Sequence, residues 1–224
     1  MSEHKTSRDA RAELIGAVRD AGWDGPWPQI PQDEPAHPAA VLVLFGVLDD
    51  IPADSVTTPV ARDLDVLLQR RAATLSSHAG QVSFPGGRRD PEDADIVATA
   101  LREAEEETGL DPSGVEILAA LPELPLAVSN FLVTPVLGWW RTPSRVAAVD
   151  HAETVEVFRV PVAELLDPAN RFMTVRRFGP QTFRAPAFDV RGHTVWGFTA
   201  MVLDRLFHAT GWHQDWDETI ERPI

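Results

Sequence analysis

The chain has 224 residues, with 34 acidic against 20 basic side chains, a net charge of −14 and no cysteine. That length suits one well-buried core with at most a small appendage, and the missing cysteines exclude disulfides, thiolate nucleophiles and cysteine metal sites. The charge argues against a nucleic-acid binder, which displays a basic face. No apolar run approaches the ~18 residues needed to span a bilayer, and the N-terminal MSEHKTSRDARAEL lacks the apolar core of a secretory signal. The expectation is therefore a cytoplasmic protein with neither a membrane nor a nucleic-acid partner.

In chain order, residues 7–21 space Leu14, Ile15 and Val18 as an amphipathic helix. Residues 22–38, rich in Pro, Trp and acid, read as an extended connector. Its Trp23 and Trp27 cap the core, cover a site or meet a partner subunit. The continuous apolar run 39–48 suits a central strand, and 64–70 and 80–84 read as further strands. Ile96–Gly109 is the clearest helix, with Asp90 as a candidate N-cap and Pro91 at its first position. Strands are expected at 115–120, 131–138, 154–160, 172–177 and 182–188, then a helix at 197–210. Trp139, Trp140, Trp196, Phe198 and Met201 read as core. Strands with interspersed helices imply an α/β fold, a mixed sheet covered on both faces. The expected division is 1–37 as N-terminal helix plus connector and 38–224 as a single-core domain.

An acidic protein that handles anionic substrates needs clustered arginines or divalent cations. At about 100° per residue, Val97, Leu101, Ala104 and Thr108 share a core-facing arc, while Glu103, Glu106 and Glu107 converge on another and Glu105 falls outside it. A run of glutamates is ordinarily a solvated helix face. Here it stands at the C-terminal end, where the helix dipole disfavours negative charge, and Glu103 and Glu107 are like charges four apart. Hard cations with oxygen ligands would relieve both penalties. Arg102 precedes Glu106 by four residues and can hold it.

These residues resemble a known signature. GGRRDPEDADIVATALREAEEETGL is similar to the Nudix box, whose ending Arg-Glu-hydrophobic-any-Glu-Glu-any-Gly-hydrophobic is filled from Arg102 to Leu110. Gly87 and Arg102 enclose fourteen residues where the general box has thirteen, so Glu92 and Asp93 compete for its upstream acid. The resemblance implies the Nudix α/β/α sandwich with a mixed β-sheet, here with an added N-terminal helix. It implies Mg²⁺ or Mn²⁺ held by Glu103, Glu106, Glu107 and the carbonyl of Gly86, with Arg102 orienting the glutamates. The general base is a carboxylate of the cluster or one from a distant loop. Glu153 is the candidate for the latter, and an ordinary surface glutamate is the alternative reading.

Upstream, LLQRRAATLSSHAGQVSFPGG (67–87) resembles the signature of the coenzyme A diphosphatase branch. Arg71, Leu75, His78, Gly80, Gln81, Val82, Phe84, Pro85, Gly86 and Gly87 match, while Gln69 and Ala72 replace the usual Thr and Ser. The longer spacing inside the box, LPLAVSNFLVTPVLG, ETVEVFRVP and VWGFTA are also similar to the branch, and the resemblance spans about 38–210. It implies metal-dependent hydrolysis of coenzyme A or acyl-CoA to adenosine 3′,5′-bisphosphate and (acyl-)4′-phosphopantetheine. Arg70, Arg71, Arg88 and Arg89 are candidates for contact with the substrate's phosphates, Gln81 is a further candidate for substrate binding, and His78 either binds the ligand or braces its loop. A homodimer is common in the superfamily. Another nucleoside diphosphate derivative (NADH, ADP-ribose or a damaged nucleotide) is the rival substrate class. A non-catalytic Nudix module is the rival of another kind, disfavoured because every box glutamate is present.

Overall fold

A computed structural model describes residues 9–20, 36–48, 61–73, 79–126, 129–178 and 181–224; Trp23, Trp27 and His78 lie outside them. In chain order the elements are α1 (Ala10–Asp20), β1 (His37–Val47), β2 (Leu64–Arg71), β3 (Val82–Ser83), β4 (Gly86–Arg88) and α2 (Ile96–Thr108). There follow β5 (Val115–Ala120), β6 (Leu124–Leu126), β7 (Phe131–Trp140), β8 (Thr154–Pro161) and α3 (Val162–Leu166). The last are β9 (Arg171–Phe178), β10 (Gln181–Val190), β11 (His193–Val195), α4 (Gly197–Thr210) and β12 (Glu221–Pro223).

Strand β1 is the axis of the main sheet, and its sequence explains why. The apolar run that fills most of this eleven-residue strand can be buried on both faces only in the middle of a sheet. Ala40, Leu42 and Leu44 face one core with Ala100 and Ala104 of α2, Leu67, Val136 and Trp140. Val43, Phe45 and Val47 face the other core, with Ala10 and Leu14 of α1 and Val202, Leu203, Leu206 and Phe207 of α4. The result is helix, mixed sheet, helix, as expected: β7 pairs with β1 in parallel, and β2 and β4 pair with it antiparallel. Burial of each such Leu, Val or Phe contributes roughly 1.5–3 kcal/mol.

Helix α2 departs from expectation at its start. Asp95, not Asp90, is the N-cap: its carboxylate accepts from the Ala98 amide at 2.8 Å. Asp90 instead closes the preceding turn, its amide donating to the Asp93 carboxylate at 2.9 Å. The buried stripe runs through Thr99, Ala100, Ala104 and Thr108, with Val97 and Leu101 half-buried beside it. Gly109 ends the helix in the left-handed region at φ 67°, as the sequence signals.

The hairpin β9–β10 lies outside the main sheet. With β11 and β12, which the sequence did not signal, it forms a second four-stranded sheet in the order β11-β10-β9-β12. Phe188, Val190 and Val195 of this sheet belong to the same core as α1 and α4. Trp139 and Trp140 are buried as expected and Phe198 packs half-buried against the core, whereas Trp196 and Met201 are only half-buried. No described helix is long and apolar enough to cross a membrane.

Candidate active site

The site arises where one edge of β1 is shared by two partners. Strand β2 pairs with Phe45–Val47, while β4 pairs with Ala39–Val41. Between them the Leu42 amide donates to the Pro85 carbonyl at 2.8 Å, so the chain segment before β4 is sewn into the gap. Gly86 stands there at φ 154°, and a Cβ on it would lie 2.3 Å from the Ala40 carbonyl oxygen. A Cβ on Gly87 would lie 2.4 Å from Oε2 of Glu103. These two glycines let the C-terminal half of α2 rest its carboxylates directly on backbone.

Glu107 is the most enclosed of these acids, with 8% of its side chain exposed. Its Oε2 accepts from the Gly86 amide at 2.8 Å and from Nε2 of Gln69 at 2.5 Å. Its Oε1 faces Nη1 of Arg71 at 3.5 Å. Burial pushes its pKa from the ordinary 4.5 up to about 7, against the pull of the Gly86 amide, Gln69 and Arg71. Burial also raises the Glu103 carboxyl, with Arg102 opposing.

Arg102 organises the rest. It pairs with Glu103 at 3.0 Å, with Glu106 at 2.9 Å and with Asp93 at 2.9 Å, and donates to the Arg88 carbonyl at 3.1 Å. Asp93 also accepts from the Thr99 hydroxyl at 2.9 Å, and the Arg102 guanidinium holds its carboxyl well below the usual range. Of the two competing upstream acids, Asp93 makes these contacts; Glu92 is exposed. Glu106 has 59% of its side chain exposed, and Glu105 points to solvent as expected.

The other candidates divide. Gln69 and Arg71 both reach Glu107, so strand alternation turns Arg70 to the opposite face, where it meets Glu156 at 3.3 Å. The Gln81 carbonyl accepts from the Arg71 amide at 3.0 Å, placing that loop beside the site. Arg88 and Arg89 are exposed; Arg88 lies 3.5 Å from Nδ1 of His37, and Arg89 donates to the Asp93 carbonyl at 3.3 Å. Glu153 is exposed, and its carbonyl accepts from the Ala72 amide at 2.7 Å. Gln69 and Thr154 were not singled out from sequence as site residues. The signal was there: a glutamine inside the apolar run of a strand must find partners.

The donor set fits a hard divalent cation. Three carboxylates lie along one helix, and Glu103 and Glu107, which rest against Gly87 and the Gly86 amide, are largely buried acids whose charge a dication would offset. Among the described residues no three Asp, Glu or His side chains already converge into a cation cluster. Glu103 and Glu106 are turned to Arg102, and Glu107 to Gly86 and Gln69.

Residues 52–181 match the sequence profile of the NUDIX domain. A Photorhabdus laumondii protein named "Uncharacterized Nudix hydrolase NudL" is 42% identical over 142 residues, 63% of this chain and 74% of that protein. The mitochondrial Nudix hydrolase 15 of Arabidopsis thaliana is 32% identical over 213 residues, 93% of this chain and 70% of that one. The crystal structure of RenU, a Nudix hydrolase from M. smegmatis, aligns with a TM-score of 0.51 over 82% of this chain and 91% of its own, at 19% identity. That last likeness speaks for the fold.

Proposed function

This chain belongs to the Nudix family, and from that premise we propose that it hydrolyses the diphosphate linkage of coenzyme A or an acyl-CoA. The products are adenosine 3′,5′-bisphosphate and (acyl-)4′-phosphopantetheine. The reaction class rests on one observation above the others: Glu103 and Glu107 lie against Gly87 and the Gly86 amide, with Arg102 bridging Glu103 to Glu106. The narrower substrate rests on the similarity of residues 67–87 to the coenzyme A diphosphatase signature.

In this reading Glu103, Glu106, Glu107 and the Gly86 carbonyl hold Mg²⁺ or Mn²⁺. A cation bound there would offset phosphate charge and lower the pKa of an attacking water. The chain's own residues do the rest. Arg102 fixes two of the carboxylates, and Asp93 fixes Arg102 in turn. Arg71 reaches the Glu107 side of the site, and Arg88 and Arg89 extend from the adjoining strand and loop, where guanidinium forks suit phosphate oxygens. Arg70, committed to Glu156 on the far face, has no part in this arrangement. A carboxylate of the cluster, or Glu153 from its loop, takes the proton of the attacking water.

Product analysis by chromatography with mass detection, after incubating the protein with coenzyme A and Mn²⁺, tests the proposal. Adenosine 3′,5′-bisphosphate and 4′-phosphopantetheine are expected. Glu106→Gln is expected to lower turnover by about 100-fold or more without loss of fold. A clear preference for NADH or ADP-ribose, which lack the 3′-phosphate, would overturn the substrate. Undiminished turnover in Glu106→Gln would overturn the mechanism.

A further inference from the structure

We propose that Gln69, locked by Thr154, is the positioning residue that sets which oxygen of Glu107 is left for a cation. The inference rests on the reading of Glu107 as a cation ligand given above. Where the branch signature carries threonine, this chain carries a longer amide that is fully buried, at 0% exposure, on β2. Its backbone is fixed from both sides, since Gln69 pairs with Ser83 of β3 and with Val157 of β8. The side chain is fixed as well. The buried Thr154 hydroxyl donates to Oε1 of Gln69 at 3.1 Å, so the amide presents Nε2, its donor end, to Oε2 of Glu107 at 2.5 Å.

That contact divides the labour within one carboxylate. Oε2 already accepts from the Gly86 amide at 2.8 Å, and the Gln69 amide is its second donor. Oε1 has Arg71 at 3.5 Å as its neighbour and keeps its remaining lone-pair capacity. Without Gln69, the carboxylate could rotate about its terminal torsion, which is soft in glutamate. Without Thr154, the buried Oε1 of Gln69 would lose its donor and the amide one of its two anchors, so Nε2 would hold Glu107 less firmly. Partners outside the first ligand set commonly change metal affinity or activity by about 10–100-fold. A rigid strand is a better anchor for such a partner than a loop.

The test measures Mn²⁺ binding by calorimetry without any substrate, beside the Mn²⁺ concentration that half-activates hydrolysis. Gln69→Met keeps the volume and removes the amide; it is expected to weaken Mn²⁺ binding about 10–100-fold while circular dichroism stays native. Thr154→Val is expected to weaken it less, and to add nothing in the Gln69→Met background, because the hydroxyl acts only through the amide. Unchanged Mn²⁺ affinity in a folded Gln69→Met protein, or additive losses in the double variant, would overturn the inference while leaving the wild-type reaction standing. Should Gln69→Met not fold, Thr154→Val alone decides, and an affinity equal to wild type overturns the inference. A wild-type protein that neither binds Mn²⁺ nor hydrolyses a diphosphate removes the functional reading itself.

Discussion

At Glu107, burial and charge are in direct conflict, and the pKa of about 7 records the outcome. The folded-state value lies above the ordinary 4.5, so the folded protein binds this proton more tightly than the unfolded chain does. The contribution is fully present below pH 4.5 and is lost as pH rises through about 7, to the extent of about 3 kcal/mol. Metal-free protein is therefore expected to melt at lower temperature as pH climbs through this window, with Glu107→Gln flattening the slope. Melting curves from pH 4.5 to pH 8, with and without Mn²⁺, check this. An equal slope in Glu107→Gln would place the titrating group elsewhere. Because a cation competes with the proton, apparent Mn²⁺ affinity is expected to rise over the same range.

Between elements, the decisive junction is β4 wedged between β1 and α2, and its two glycines serve different ends. A methyl group on Gly86 meets backbone, the Ala40 carbonyl oxygen at 2.3 Å, in a conformation that L side chains rarely adopt. A methyl group on Gly87 first meets the movable end of Glu103, at 2.4 Å. Gly86→Ala is thus expected to destabilise the fold by about 3 kcal/mol or more, through strain and a broken β1–β4 pairing. Gly87→Ala is expected to fold nearly as well as wild type, yet to lose about 100-fold or more in turnover because Glu103 is displaced. Urea unfolding and steady-state assays on the pair separate the two effects, and equal stability losses would contradict this division. The same junction shows the limit of periodicity. Glu103, Glu106 and Glu107 were legible as one face of a helix, but which of them would be buried was not. That depends on how β4 is paired to β1 and on Gln69, 38 positions before Glu107 in sequence.

Across the whole molecule, the second sheet is tied to the main body by a buried guanidinium. Arg171 of β9, with 1% of its side chain exposed, pairs with Asp204 of α4 and stacks between Phe188 and Trp216, each ring centroid 4.6 Å from its Cζ. Removing the partner of a buried charge typically costs about 3–5 kcal/mol. Asp204→Ala is expected to lose stability on that scale in a denaturant titration, and a change within about 0.5 kcal/mol would show that the clamp holds nothing together. At the N-terminal side, α1 places Ala10 and Leu14 in the same core as α4, and Trp212 donates to Glu13 at 2.6 Å, so this helix is packed into the main body.

Local chemistry was written in the sequence: the central strand, the glutamate helix and its glycine stop, the glycine pair, and the arginine that holds the acids. Each is dictated by neighbours within a few residues, through apolar period, capping and turn preference. The sequence did not determine the pairing of Gln69 with Glu107 or the separation of β9 and β10 into a second sheet. Those depend on which segment fills the gap beside β1 and on what is left buried without a partner. Such questions are settled only when residues tens of positions apart compete for the same space.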